Sequence, residues 1–240
     1  EVWYAGALGR PGSNSEFQLV DERIVARKPR SLDNAAAAAL PLTAITAWEL
    51  LFHRLGVEEG GNAGDTLLIV GAAGGVGSIL TQLASKLTGM TVIGTASRPE
   101  SQKWVREAGA HHVIDHSKPL TEELARIGIK QVSHVASLNN TEQHYQQLIN
   151  ALQPQGKLAL IDDPQSLDVV PLKVKSLSLH WEFMFTRSMF ETADIAEQHR
   201  LLTRVAALID DGIIKTTLGE HFGAINAQNL RKALIVPQRP

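Results

Sequence analysis

The chain has 240 residues, of which 44% are hydrophobic and 20% are charged, and its formal net charge is −2. This composition predicts a globular protein with one large domain or two small ones. The near-neutral charge, the lack of a signal peptide and the lack of an apolar run near the roughly 20 residues of a membrane span argue against nucleic-acid and membrane partners. Because the sequence has no cysteine, disulfides and thiolate metal sites are excluded, and a cytoplasmic location is expected.

The first part of the chain predicts short β segments followed by two helices. Aromatic and β-branched residues cluster between turn residues there, Ser31 is expected to cap an alanine-rich helix, and Pro41 is expected to end it. The expected elements are strands at 2–5 and 16–20, the latter continuing near 24–25, and helices at 32–40 and 43–54.

From Thr66 onward, apolar strand patterns alternate with amphipathic helix patterns. Short loops between them predict an α/β fold, a doubly wound parallel Rossmann sheet with helices on both faces. The expected strands are 66–70, 91–96, 112–114, 131–136, 157–161 and 176–181, and the expected helices are 75–88, 99–108, 119–127, 141–152 and 191–211. After residue 212 the pattern becomes extended and leaves this sheet.

A glycine-rich loop joins the first of these strands to its helix. Gly71 allows the tight turn, Gly74 leaves room for a pyrophosphate, and Gly77 lets the helix pack against the strand. The N–H groups of Gly75, Val76 and Gly77 at the helix start attract phosphate. The spacing is Gly-x-x-Gly-x-x-Gly rather than Gly-x-Gly-x-x-Gly, so a glycine turn without a ligand is the alternative.

The end of the second strand predicts the cofactor. An NAD site carries Asp or Glu about 20 residues past the loop, whereas this chain has Ser97 and Arg98 there. A hydroxyl and a guanidinium suit the 2′-phosphate of NADP(H), which an acid would repel. The alternative is a solvated surface arginine.

Several stretches together resemble the medium-chain dehydrogenase/reductase superfamily, in its quinone oxidoreductase branch and its zinc-type alcohol dehydrogenase-like group. They are residues 10–17, 40–49, the glycine loop, 94–100, 109–116 and 181–187. The resemblance implies that residues 1–30 are the last strands of a GroES-like substrate domain, 31–212 an NADP-binding Rossmann domain, and 213–240 a return to the substrate domain. It also implies a fragment that lacks most of the N-terminal domain.

The resemblance adds site residues to those of the glycine loop. Thr46 matches a threonine near the nicotinamide, His116 a residue beside the adenosine, and Phe185 the nicotinamide amide clamp, with a core or dimer contact as the alternative for Phe185. The nicotinamide ribose is expected to lie near Leu138 and Asn139. Ile161 and Asp162 end the fifth strand at the carboxyl edge of the sheet, where such folds bind ligands. Residues 174–185 are rich in aromatics, and the resemblance suggests that this edge strand pairs with its twin in a homodimer.

No metal is expected. The family's zinc-binding cysteine would fall near Leu42, and the side chains of His111, His112, Asp115 and His116 alternate across a strand. The expected function is a zinc-independent, NADPH-dependent oxidoreductase that transfers a hydride to a quinone or an activated alkene or carbonyl. No catalytic residue is identified. The alternatives are a non-catalytic NADPH-binding redox sensor and a zinc-dependent alcohol dehydrogenase.

Overall fold

A computed structural model describes residues 1–12, 15 and 17–235. The chain divides into two compact units: unit 1 combines residues 1–45 with the chain from Phe185 onward, and unit 2 is Thr46–Met184. Within the described part of the chain, no helix is both long enough and apolar enough to cross a membrane.

The described residues form eight strands and nine α-helices, which are numbered in chain order. The strands are β1 Val2–Trp3, β2 Ala26–Arg27, β3 Thr66–Val70, β4 Thr91–Thr95, β5 His112–Ile114, β6 Val132–Ser137, β7 Leu152–Leu160 and β8 Ser178–Trp181. The helices are α1 Asn34–Ala38, α2 Pro41–Trp48, α3 Gly75–Leu87, α4 Pro99–Glu107, α5 Leu120–Arg126, α6 Thr141–Ala151, α7 Thr186–Met189, α8 Glu197–Asp210 and α9 Ala227–Ile235.

Unit 2 is built on a six-stranded parallel sheet in the order β5-β4-β3-β6-β7-β8. This is the strand order of a doubly wound dinucleotide-binding fold. Successive strands are added toward one edge from β3 to β5 and toward the other edge from β6 to β8, so the strand order reverses between β3 and β6. Leucine, isoleucine and valine side chains of α5, α6 and the sheet form one fully buried cluster. Burial on both faces explains the apolar runs in β3, in β4 and at the end of β7. The predicted α/β class and parallel Rossmann sheet are therefore confirmed.

The strands and helices of this sheet lie within a few residues of the predicted ones, with one exception. Strand β7 begins at Leu152, directly after α6, and not at residue 157. Its pairing with β6 shifts register between Val132 and His134, and Gln155 has a φ of 64°. An irregularity of this kind interrupts the apolar pattern from which the start of a strand is read.

Two local predictions outside the sheet are wrong. Ser31 does not cap a helix, since its hydroxyl donates to Asp210 (2.8 Å), and Asp33 caps α1 by accepting the N–H of Ala36 (2.7 Å). The described residues 17–20 form no strand; residue 16 is not described. The carboxylate of Asp21 accepts the N–H of Arg23 and starts a single 3-10 turn, and such local bonds compete with strand pairing.

The helices around Pro41 and residue 191 also differ from prediction. Pro41 begins α2 and does not merely end the helix before it, because proline suits the first helical turn. Helix α2 then continues as a π-helical segment at Glu49–Arg54. The helix expected at 191–211 is observed only as α8, which begins at Glu197. Before it, Glu191 adopts a φ of 43° and the hydroxyl of Thr192 donates to Asp194 (2.7 Å).

Unit 1 contains the antiparallel pair β1–β2, and helix α8 packs on β2. The imidazole Nδ1 of His199 lies 2.6 Å from the carbonyl oxygen of Val25, and Asp210 accepts the N–H of Ser31 (2.9 Å). These bonds group α8 with the N-terminal residues, and the domain boundaries expected after residues 30 and 212 stay a prediction. In the described residues beyond 212, α9 is the regular element and no strand is present. The assignment to a GroES-like domain stays a prediction, and residues 236–240 lie outside the described chain.

Candidate functional site

The carboxyl ends of the parallel strands of unit 2 form one edge, where ligands bind in folds of this type. Ile114 of β5 pairs with Thr95 of β4, and Ser137 of β6 pairs both with Val70 of β3 and with Leu160 of β7. The predicted site residues that follow these strands therefore lie along the edge in a fixed order. That order is His116, then Ser97 and Arg98, then the glycine loop, then Leu138 and Asn139, then Ile161.

The glycine turn adopts the geometry that its sequence requires. Gly71 has a φ of +81°, in the left-handed region that favours glycine, and its N–H donates to the hydroxyl of Thr95 (3.2 Å). A Cβ atom at Gly77 would lie 2.3 Å from the carbonyl oxygen of Gly71, so only glycine lets α3 approach β3 this closely. The Gly71 turn and the Gly77 packing expected from the sequence are observed.

Helix α3 begins at this turn without a side-chain cap, because its N-cap residue is Gly74. The N–H groups of the first turn, at Gly75, Val76 and Gly77, consequently remain available to an anion. The backbone behind them is held in place, since the indole of Trp104 donates to Ser78 (2.7 Å) and Ser78 donates to the carbonyl of Gly74 (2.7 Å). This is a fixed, uncapped helix start of the kind that binds phosphate.

Ser97 and Arg98 are exposed immediately after β4, and Arg98 is the N-cap residue of α4. Among the described residues, the guanidinium of Arg98 has no hydrogen-bond or ion-pair partner. An exposed cation one strand away from an uncapped helix start fits a ligand that carries a second phosphate. The residues present therefore fit an anionic dinucleotide.

Leu138 and Asn139 form the other side of the glycine turn. The N–H of Leu138 donates to the carbonyl of Val70 (3.1 Å), which continues the pairing of β6 with β3. The amide Oδ1 of Asn139 lies 2.7 Å from the position a Cβ atom would take on Gly71. Ile161 follows β7 and is half-buried. These residues lie next to each other at the point where the strand order reverses.

His116 lies beyond β5 and has a neighbour that the sequence did not suggest. Its ring centroid is 6.1 Å from that of His144 on α6, in an edge-on arrangement. The Nδ1 atom of each ring is buried and has no hydrogen-bond partner among the described residues. Burial, together with His116, lowers the pKa of His144, so the neutral form of His144 is favoured.

Thr46 and Phe185 fall in different units. Thr46 is buried in α2 at the start of unit 2. Phe185 belongs to unit 1, where it precedes α7 and lines a cavity of about 670 Å³ together with Trp3, Tyr4 and Lys28. Their roles near a nicotinamide stay predictions.

The donor set does not fit zinc. No three His, Asp or Glu side chains in the described part of the chain are grouped as metal ligands, and the sequence has no cysteine. Leu42, at the position where the family resemblance expects a cysteine, is a half-exposed apolar residue of α2. His111 Nδ1 accepts the N–H of Val92 (2.9 Å), which uses that atom in the sheet. No step involving a metal is therefore derived for this chain.

Comparison with known proteins decides the family. Residues 75–201 match the family model described as "Zinc-binding dehydrogenase". A zinc-type alcohol dehydrogenase-like protein of Staphylococcus epidermidis is 36% identical over 237 residues, which cover 97% of this chain and 70% of that protein. The chain belongs to this family. The predicted membership of the medium-chain dehydrogenase/reductase superfamily, a superfamily of oxidoreductases, is confirmed.

Other family relatives extend the comparison. A crystal structure from Rhizobium etli CFN 42, provisionally assigned as a zinc-dependent alcohol dehydrogenase, superposes with a TM-score of 0.92 at 53% identity, covering 97% of this chain and 68% of that one. Mycobacterial Rv1454c, whose structure is complexed with NADPH, has a TM-score of 0.68 at 26% identity and covers 82% and 60%. A 2-methylene-furan-3-one reductase of Solanum lycopersicum is 39% identical over 114 residues, 47% of this chain and 28% of that protein.

Sequence reasoning missed several groups that shape the site of this family member. Thr95, Trp104 and His144 were not singled out, because each lies inside an element whose pattern already explains it. The start of α6 carries an ordinary capping signal in Asn140, yet Asn140 has a φ of 51° and makes no side-chain cap. The carboxylate of Asp162, which follows β7, accepts the N–H of Thr141 in its place. Two residues this far apart in sequence leave no local signal of their contact.

Proposed function

We propose that this protein is an NADPH-dependent reductase that transfers a hydride to a quinone or to an activated alkene or carbonyl, without zinc. The observation that carries the proposal is the combination, on one sheet edge, of an uncapped helix start after Gly74 with the guanidinium of Arg98, which has no partner among the described residues. Phosphate recognition by a helix start and by an arginine fork are the two interactions that NADPH needs and that NADH uses only in part.

The chain's own residues would bind and orient the cofactor. The N–H groups of Gly75, Val76 and Gly77 would hold the pyrophosphate, and Ser97 with Arg98 would hold the 2′-phosphate. Leu138, Asn139 and Ile161 would line the nicotinamide ribose. When bound, the cofactor supplies a hydride, and a proton for the reduced acceptor comes from solvent.

The unsuitable donor set supports chemistry without a Lewis acid. An acceptor that is already electron-poor, such as a quinone or an alkene conjugated to a carbonyl, needs positioning more than polarisation. The similarity to 2-methylene-furan-3-one reductase supports an alkene acceptor. Location in the cytoplasm stays a prediction from the sequence.

A binding experiment tests the cofactor. NADPH and NADH are titrated into the parent protein, Arg98→Ala and Arg106→Ala, and the dissociation constants are compared. A charge-assisted pairing contributes about 1.5–3 kcal/mol, so NADPH should bind at least about tenfold more tightly than NADH. Arg98→Ala should remove most of this preference. Arg106 is an exposed arginine at the far end of α4, so Arg106→Ala should retain the preference. Equal affinities of the parent for both dinucleotides contradict the proposal.

A turnover experiment separates the reductase from a redox sensor. NADPH oxidation by the full-length protein is followed at 340 nm with a panel of quinones and enones, with and without added zinc. Acceptor-dependent oxidation that zinc does not change supports a zinc-independent reductase. Tight NADPH binding without oxidation by any acceptor points to the sensor, and oxidation that requires zinc points to the alcohol dehydrogenase.

We also propose a homodimer that forms through β8. This strand is an edge of the sheet and pairs only with β7 among the described strands. Trp181 and Phe183, in and just after it, are 52% and 49% exposed. An unprotected edge strand with exposed aromatic side chains is a surface that proteins normally cover, and a two-fold axis would pair it with its own copy.

A further inference from the structure

Asp162 follows β7 and accepts two hydrogen bonds from Thr141, the first residue of helix α6. Its Oδ2 accepts the N–H of Thr141 (2.8 Å), and its Oδ1 accepts the Thr141 hydroxyl. The Thr141 hydroxyl also lies 2.7 Å from that of Ser137, the last residue of β6. Thr141 and Ser137 are completely buried. One carboxylate thus joins the carboxyl ends of two neighbouring strands to the first residue of a helix.

This arrangement replaces the normal cap of α6. Asn140 occupies the N-cap position in a left-handed conformation and gives no side-chain cap to the helix. The free N–H groups at a helix start need an acceptor, and a negative charge there is favoured by the helix dipole. Asp162 supplies both from outside the helix, so removal of its carboxylate leaves the buried N–H and hydroxyl of Thr141 unsatisfied.

The hydrogen bonds of Asp162 fix the loop 138–140. It is bounded by Ser137 on one side and Thr141 on the other, and both belong to the Asp162 network. Within the loop, Leu138 is bonded to Val70, and Asn139 touches Gly71. The position of Asn139 against the glycine turn therefore depends on where Thr141 is held.

We infer that Asp162 is a positioning residue for the dinucleotide site: through Thr141, it fixes the loop that would line the nicotinamide ribose. Asp162 is assigned no contact with the cofactor. This inference rests on the proposed function, because it concerns the affinity of the same site. A ribose is common to NADPH and NADH, so the role of Asp162 should be equal for both, whereas that of Arg98 should differ.

The test uses paired variants of the full chain. Asp162→Ala removes both acceptors, and Asp163→Asn removes the same charge from the adjacent exposed residue as a matched control. Thr141→Val keeps the volume but loses the hydroxyl, and Thr141→Ser keeps the hydroxyl but loses the methyl group. Dissociation constants for NADPH and NADH are measured at 10 °C, with melting temperatures measured without ligand. Hydrogen exchange of residues 138–143 is measured in the free protein.

Asp162→Ala is expected to weaken NADPH and NADH alike by about tenfold, which corresponds to about 1.4 kcal/mol, and to leave their ratio unchanged. Thr141→Val should resemble it, Thr141→Ser and Asp163→Asn should resemble the parent, and exchange at 138–143 should accelerate only in the first two. A role in packing alone would reverse the order of the two Thr141 variants.

Three results overturn the inference, and they are distinguishable. If the parent binds NADPH and Asp162→Ala binds it equally well while still folded, the positioning role is wrong and the proposed function stands. If the parent binds neither dinucleotide, the proposed function fails and the inference fails with it. A variant that changes the ratio of NADPH to NADH affinity also contradicts the inference, because Asp162 would then act at the 2′-phosphate side.

Discussion

Gly74 and Gly77 are three residues apart but differ in the space that a methyl group would find. A Cβ at Gly77 would lie 2.3 Å from the carbonyl oxygen of Gly71 and 2.7 Å from the Cα of Ala72, both backbone atoms. A Cβ at Gly74 would meet only the Gly71 carbonyl oxygen, at 3.3 Å. We therefore predict that Gly77→Ala destabilises the fold, whereas Gly74→Ala leaves the fold intact and impairs cofactor binding.

The magnitudes follow from these contacts. Overpacking typically destabilises by about 1–3 kcal/mol, and contact with backbone, which cannot rotate away, places Gly77→Ala at the upper end. Alanine regains about 1 kcal/mol of helix propensity at this helical position, which leaves a net loss of roughly 2 kcal/mol. For a chain of this size, that loss lowers the melting temperature by roughly 4–8 °C. Gly74 is extended, with φ −72° and ψ 176°, a conformation open to alanine without strain.

The assay combines thermal unfolding by circular dichroism, without cofactor, with an NADPH titration. Gly74→Ala should melt close to the parent, but its NADPH dissociation constant should rise by about tenfold or more, because the methyl group occupies space where the pyrophosphate approaches the backbone. The reasoning is refuted if Gly74→Ala melts as low as Gly77→Ala, or if it is as stable as the parent and binds NADPH as tightly.

Three further predictions concern acid stability, assembly and metal content. Hydrogen bonds from Arg126 lower the pKa of Glu123 from its usual 4.5 to about 2, so its stabilising contribution is present above pH 4.5 and is lost as the pH falls toward 2. Urea denaturation should find Glu123→Gln less stable than the parent at pH 7, and the gap should narrow below pH 4.5; a gap independent of pH would contradict this. Phe183→Lys should shift the protein toward monomer in sedimentation at micromolar concentration, whereas lysine at the exposed Phe190 of unit 1 should not, and a monomeric parent would rule out the β8 dimer. Elemental analysis of the purified chain should find substoichiometric zinc. One tightly held zinc per chain would contradict the conclusion that the side chains present do not fit a zinc site.

The sequence was most informative where its patterns have one physical explanation. Between Thr66 and Ala151, short apolar runs bounded by turn residues predict the strands of a parallel sheet, and the helices between them carry amphipathic stripes. Their bounds are therefore predicted within about two residues. The glycine spacing likewise predicts backbone geometry, since a left-handed φ at Gly71 and a close approach at Gly77 are conditions that other residues fail to meet.

Prediction failed where a distant partner decides the local structure. Ser31 is a residue type that commonly caps helices, yet its hydroxyl donates to Asp210, which is 179 residues away in sequence. At the start of α6, the N–H of Thr141 is likewise bound by a residue distant in sequence, Asp162. At residues 17–25, β-branched residues favour a strand, but the hydrogen bond from the N–H of Arg23 to Asp21 holds a 3-10 turn there instead. The sequence does not show which of these hydrogen bonds forms, because the free energies of the competing interactions differ by only about 1 kcal/mol.

The division of the chain has a consequence for how the protein is made. Unit 2 is one continuous stretch of sequence, whereas unit 1 consists of two segments that flank it. During synthesis, the first 45 residues emerge before helix α8, on which β2 packs, has been translated. Unit 2 can complete its sheet in the meantime, and a folded insert brings the flanking segments together at a smaller loss of chain entropy than an unfolded one. Strand β2 can therefore pack on α8 only after the whole of unit 2 has been translated.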